Sequence, residues 1–148
     1  MKRSRHTSLW ALAAWLLGAS ALFESTLVQA ADPQLQQAIA RGKDHFLHST
    51  FAGRGRVCET CHLGGGMRQG QLPDGRPIPS LLNAAAIFPR ISEDDQKLIT
   101  LADQIRTCIG GALNGNAPAY GSDELNSLVA YVTSLSQGKP IDMGADPK

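Results

Sequence analysis

Apolar residues recur at helical spacing in three stretches of the 148-residue chain, and no strand-like alternation persists anywhere, so the pattern predicts an all-α fold. The first stretch, residues 33–51, opens with Asp32 before Pro33, an acidic N-cap followed by proline in the first turn. Leu35, Ala38, Ile39, Phe46 and Leu47 fall on one side of it. Gly42 interrupts this helix at a cost of about 1 kcal/mol against alanine, which predicts that another helix approaches closely there. The second stretch runs from Leu101 to about Ile109, with Thr100 and Asp103 at the spacing of a capping pair and Gly110-Gly111 at its close. The third follows Ser122, with Asp123 and Glu124 in the first turn and Leu125, Leu128, Val129, Val132 and Leu135 on one side. Tyr131 lies next to that face, and Gly138 stands just past the stop. Residues 63–89 are rich in Gly and Pro and predict loop with little regular structure.

The N-terminus has a different pattern. Lys2, Arg3 and Arg5 precede a nearly unbroken apolar run from Leu9 to Phe23, and Val28-Gln29-Ala30 supplies a small residue at the cleavage offset. Residues 1–30 therefore read as a secretory signal peptide cut after Ala30, with 31–148 as one domain exported to a compartment such as a bacterial periplasm. The run is shorter than the ~20 residues needed to span a bilayer, so no stable membrane insertion is expected after cleavage. Three of the 14 Lys and Arg and one of the 13 Asp and Glu lie in the leader; the 11 against 12 that remain give a net charge of −1, and no basic surface for nucleic acid. Both tryptophans, Trp10 and Trp15, go with the leader as well. The aromatics left are Phe46, Phe51, Phe88, Tyr120 and Tyr131, few for a core of this size unless a bulky group fills it.

Cys58-Glu59-Thr60-Cys61-His62 supplies that group. C-x-x-C-H is the attachment signature of a c-type haem: Cys58 and Cys61 add to the vinyl groups as thioethers, and His62 becomes the proximal iron ligand. A zinc ribbon needs a second C-x-x-C pair and a dithiol oxidoreductase needs a βαβ context, and the chain offers neither. One haem c per chain is expected, since the motif occurs once.

Gly42 and Phe46 on an N-terminal helix, the haem motif soon after, a long loop, and a terminal helix carrying Leu128 and Tyr131 together resemble a class I cytochrome c. The resemblance implies three to four helices around one covalent haem, with the first and last helices crossing at the small residue. It also implies that the proximal histidine donates its second ring N–H to the carbonyl of a proline in a Pro-x-Leu turn, which Pro79-Ser80-Leu81 matches. Arg54 and Arg56, just before the motif, are candidates to pair with haem propionates or to stand solvated.

The sixth ligand is open at this point. Met67 is only five residues past His62, Met143 lies beyond the last helix in a tail expected to be mobile, and His45 and His48 belong to the first helix. Cys108 is the odd thiol of a secreted chain once Cys58 and Cys61 are taken by haem, and such a thiol is paired, reactive or metal-bound, or else a buried apolar residue. It stands 46 positions beyond His62, near where the resemblance places a distal methionine.

Residues 100–108 (TLADQIRTC), Leu113-Asn114-Gly115, Gly121-Ser122-Asp123-Glu124-Leu125, Ala130-Tyr131-Val132 and Gly138-Lys139-Pro140 resemble the haem domains of thiosulfate dehydrogenases and of the catalytic Sox-type cytochrome subunit. The stretch from Cys61-His62-Leu63 to Phe88-Pro89 is similar to the former. The resemblance implies His62 and Cys108 as iron ligands, with the cysteine sulfur taking part in thiosulfate chemistry where the domain is an enzyme. Those families commonly carry arginine four residues before the ligand cysteine, and this chain has Gln104 there. Two functions are expected on these grounds. One is a periplasmic electron carrier, serving a redox partner protein in thiosulfate oxidation or a related respiratory chain. The other is a thiosulfate-oxidising or -conjugating enzyme or subunit that uses Cys108 catalytically. A vacant sixth site would instead make a gas-binding haem.

Overall fold

The computed structural model describes residues 32–147; the predicted leader 1–30 and its cleavage point lie outside them. Helix α1 spans Pro33–His48, and Asp32 caps it by accepting from the amides of Gln34 (2.7 Å) and Leu35 (3.4 Å). It ends short of the expected Phe51 because Ser49 turns to extended geometry and Phe51 and Ala52 enter the left-handed region, at φ 51° and 57°. Helix α2 is a four-residue turn, Ala84–Ile87. Helix α3 runs Leu101–Gly111, with Thr100 and Asp103 capping each other's backbone amides. It continues through the two glycines that were expected to stop it. Helix α4 is Asp123–Leu135, capped by the Ser122 hydroxyl on the Leu125 amide.

Helices α1 and α4 cross where Gly42 meets Ser127. A Cβ on Gly42 would lie 1.8 Å from the Ser127 carbonyl oxygen and 2.8 Å from the Tyr131 Cβ, so only glycine permits this crossing. Phe46, Leu128, Tyr131 and Val132 bury their apolar surface around it, the Phe46 and Tyr131 rings meeting edge to face at 5.4 Å. Leu101, Ile109 and Leu113 extend this core beneath α3.

The stretch 63–89, expected to lack regular structure, holds α2 and one short antiparallel pair, β1 (Gly70–Gln71) with β2 (Pro77–Ile78), and a second pair, β3 (Arg90–Ile91) with β4 (Leu98–Ile99), follows it. Two-residue ladders are too brief to print an alternation on the sequence. The tail after α4, expected to be mobile, is tied back to α2: the amides of Asp142 and Gly144 donate to the carbonyls of Ala86 (2.8 Å) and Ile87 (2.9 Å). No helix among the described residues is long and apolar enough to cross a membrane.

Candidate haem site

A single 3-10 turn, Cys58–Thr60, sets up the attachment motif. The Thr60 hydroxyl accepts from the Val57 amide, and the amides of Cys61 and His62 both donate to the Cys58 carbonyl, which winds both thiols and the imidazole around one turn of chain. Glu59 fastens the glycine run beyond the histidine: its two carboxylate oxygens accept from the amides of Gly64 (2.8 Å) and Gly65 (2.6 Å). Gly64, Gly65 and Gly66 all have positive φ, between 65° and 86°, which other residues adopt only under strain. The Tyr131 hydroxyl on α4 donates to the Gly65 carbonyl at 2.8 Å, and the Gly66 carbonyl accepts from Leu81 at 2.7 Å. The turn carrying Pro79 and the last helix are thus both joined to the motif through three glycines.

These segments enclose a cavity of about 340 Å³. Cys58, Cys61 and His62 form one part of its wall, and Phe46, Leu128 and Val132 bring α1 and α4 against it. Helix α3 turns Leu101, Gln104, Ile105, Cys108 and Ile109 into it, the helical spacing of one face. Pro79 lines it too. Burial holds the His62 ring below the ordinary histidine range, against the pull of the Glu59 carboxylate, which favours the neutral imidazole that a metal ligand must be. Its Nδ1 is buried with no hydrogen-bond partner; the Pro79 carbonyl does not accept from it. Burial also raises the Cys108 thiol, a shift partly offset by the Gln104 amide, which donates to its sulfur at 3.5 Å. Cys58 is pushed up to about 12 by burial and then by the charges its neighbours Cys108 and Cys61 would carry. All three cysteines are free thiols gathered at one cavity.

The chemistry of this wall fits haem c. A porphyrin brings its own ring of nitrogens, so the protein need offer only axial donors, two thiols for the thioethers and apolar contact, all of which the cavity presents. No three His, Cys, Asp or Glu side chains among the described residues gather as a bare metal ion would require. Metal coordination would deprotonate the Cys108 thiol outright, whatever burial does to it.

The other candidates lie elsewhere. His45 bonds the Ser49 hydroxyl through Nδ1 (3.0 Å), and His48 is exposed beside Asp44; neither lines the cavity. Met67 and Met143 are 54% and 64% exposed, also outside it. Arg54 is exposed and Arg56 half-buried, and neither reaches the cavity, although both sit immediately before the motif. The lining arginine is Arg90, which sequence reasoning missed because nothing in Phe88-Pro89-Arg90 distinguishes it from any other loop arginine.

Solved structures share this fold. The thiosulfate dehydrogenase TsdBA from Marichromatium purpuratum superposes with a TM-score of 0.60 at 22% identity, over 76% of this chain and 25% of that one. SoxXA from P. pantotrophus does so at 0.60 and 20%, over 77% of this chain and 38% of that one. The fold is that of class I c-type cytochromes, a class that binds its haem covalently, and the match of the cytochrome c family model places the chain in it. The family model "SoxA/TsdA, cytochrome c domain" matches residues 41–141, and the chain belongs to that family. It is 31% identical to a thiosulfate dehydrogenase of Allochromatium vinosum, over 92% of this chain and 55% of that protein. With one from Psychrobacter arcticus it shares 28%, over 79% of this chain and 35% of that protein. The chain thus spans about half the length of the first of these relatives and about a third of the second.

Proposed function

We propose that this chain is a periplasmic monohaem cytochrome that passes electrons in the oxidation of sulfur compounds, thiosulfate foremost, with His62 and Cys108 as the axial ligands. The observation that carries the ligand assignment is the shared cavity: His62 and Cys108 line it, whereas both histidines of α1, Met67 and Met143 do not. Haem c, once attached, supplies the one-electron couple. The chain's part is to hold the imidazole neutral, to present a sulfur on α3, and to wrap the ring in apolar side chains that keep water away. The single attachment motif supports one haem. The basic and apolar leader supports export, with the mature N-terminus at Ala31.

Optical and paramagnetic resonance spectra of the ferric protein test the ligand set. A thiolate favours Fe(III), so the midpoint potential should lie well below that of a His/Met cytochrome. Cys108→Met should raise it by on the order of a few hundred millivolts, within the ~0.8 V range that axial ligands command, and introduce the weak near-infrared band of methionine ligation. That band in the wild type would overturn the assignment.

A second reading, a thiosulfate-handling enzyme or subunit, is supported by the names of the relatives and by the cysteine sulfur at the cavity. A free thiosulfate beside a thiolate meets like-charge repulsion of about 4 kcal/mol for each unit of its charge at ~4 Å and an effective dielectric near 20, and Gln104 offers no charge to offset it. Reduction of an artificial acceptor with thiosulfate should therefore be weak, and Gln104→Arg should increase it. If neither form turns over thiosulfate, alone or with a cognate cytochrome, while the haem exchanges electrons rapidly with small redox proteins, the enzyme reading falls and the carrier stands.

A further inference from the structure

We propose that Arg90 is the oxyanion-holding residue of the haem cavity, its guanidinium taking an oxygen either of a haem carboxylate or of a sulfur oxyanion that enters the cavity. Arg90 stands on β3, where pairing with Ile99 on β4 fixes its backbone. Its side chain is only 16% exposed and lines the cavity, and its Nε is fully buried with no hydrogen-bond partner. The nearest carboxylate, Glu93, reaches the far nitrogen Nη2 only at 3.9 Å and is itself 81% exposed, so it screens the charge weakly and leaves Nε untouched. The Phe88 ring lies 5.8 Å from the guanidinium carbon and shields that side from water.

An arginine cannot relieve this state by losing its proton, and a buried N–H without an acceptor has given up water for nothing. The planar fork matches a carboxylate or a sulfur oxyanion, which accepts two parallel N–H bonds. Among the described residues Arg90 is the only Lys or Arg on the cavity wall, and Gln104, the polar side chain bonded to Cys108, is neutral. An anion drawn to this cavity therefore has one cation to meet.

This inference rests on the haem reading, which is checked separately by the covalent haem content of the wild type. Arg90→Gln in the haem-loaded protein separates the two sources of oxyanion. If the partner is a haem carboxylate, the variant lowers the midpoint potential measured without added anions, because an uncompensated negative charge near the iron favours Fe(III), and thiosulfate titrated against the ferric absorbance binds as before. If the partner is a free oxyanion, thiosulfate affinity falls by about tenfold or more, the loss of one charge-assisted bond, and this fall is the separating readout, because deleting the cation lowers the potential in either case. Arg90→Lys, which keeps the charge and removes the Nε–H, should move the same readout in the same direction by less, and serves alone if the glutamine variant fails to accumulate. A haem-loaded variant that matches wild type in both potential and thiosulfate affinity overturns the proposal. A wild type that carries no covalent haem overturns the cytochrome reading and the carboxylate arm with it.

Discussion

The crossing of α1 and α4 and the wall around Cys108 are built to different standards of completeness. At the crossing Phe46, Leu125, Ser127 and Leu128 are 1–2% exposed, and Gly42 sits against a carbonyl with no room for a methyl group. On the cavity wall Cys58, Leu81, Phe88, Ile105 and Cys108 are only half-buried, although the first four pack against the same core and Phe46 and Leu128 reach the wall from the crossing. The first region derives its stability from its own contacts, while the second completes its burial against a ring it must bind. The helix crossing is therefore scaffold, and the cavity wall is where substitution changes chemistry.

Denying the cavity wall its haem should have the largest effect. Cys61→Ser removes one thioether, and the yield of haem-loaded protein should fall by at least ~10-fold, since burial that depends on a bound group is lost with it. Hydrogen exchange on the remaining apoprotein should show protected amides in α1 and α4 and fast exchange around the cavity. Uniform protection would erase the distinction between the two regions. Gly42→Val attacks the scaffold instead, driving a side chain into the Ser127 carbonyl, and should destabilise the folded protein by about 3 kcal/mol or more. Thermal unfolding measures that loss, and an unchanged absorption spectrum in the fraction that still folds would keep the effect out of the site.

Glu59→Gln probes the seam between the regions. An amide oxygen can replace one of the two carboxylate bonds to Gly64 and Gly65, so a cost of about 1–2 kcal/mol is expected, with a rise in midpoint potential from removal of the negative charge near His62. A stability loss without any change in potential would make Glu59 purely a fastener. Asp103 should give the smallest effect. The Tyr120 hydroxyl and then the Thr100 backbone amide and hydroxyl hold its carboxyl down at about 2, below the ordinary 3.8. Its contribution is thus whole above about pH 4 and lost as the pH falls toward 2. Because the residue is half-buried and its carboxylate lies near solvent, Asp103→Asn should cost no more than about 1 kcal/mol at neutral pH, and the difference from wild type should vanish in acid denaturation near pH 2.

Local signals carry most of the fold that is legible in the sequence. Asp32, Thr100 and Ser122 each cap the helix expected of them, and Gly42 marks the predicted close approach. Helix α2 is illegible because four residues hold no period, and the tail's anchorage because its bonds run between backbone groups, which carry no side-chain signature. Proximity in sequence is a poor guide to the cavity's cation. Arg54 and Arg56 adjoin Cys58, but the left-handed turn at Phe51 and Ala52 and the Arg54 amide's bond to Leu113 (3.3 Å) carry that segment past the cavity, whereas Arg90 arrives from 28 positions after His62.

The Gly42–Ser127 contact also imposes an order on how the protein is made. Its partners stand 85 positions apart, and closing so long a loop is slow compared with forming either helix alone. Throughout that interval Cys58, Cys61 and His62 lie on open chain between two helices that have not met. A contact so distant in sequence, forming after the helices themselves, would leave both thiols within reach of haem until the crossing closes.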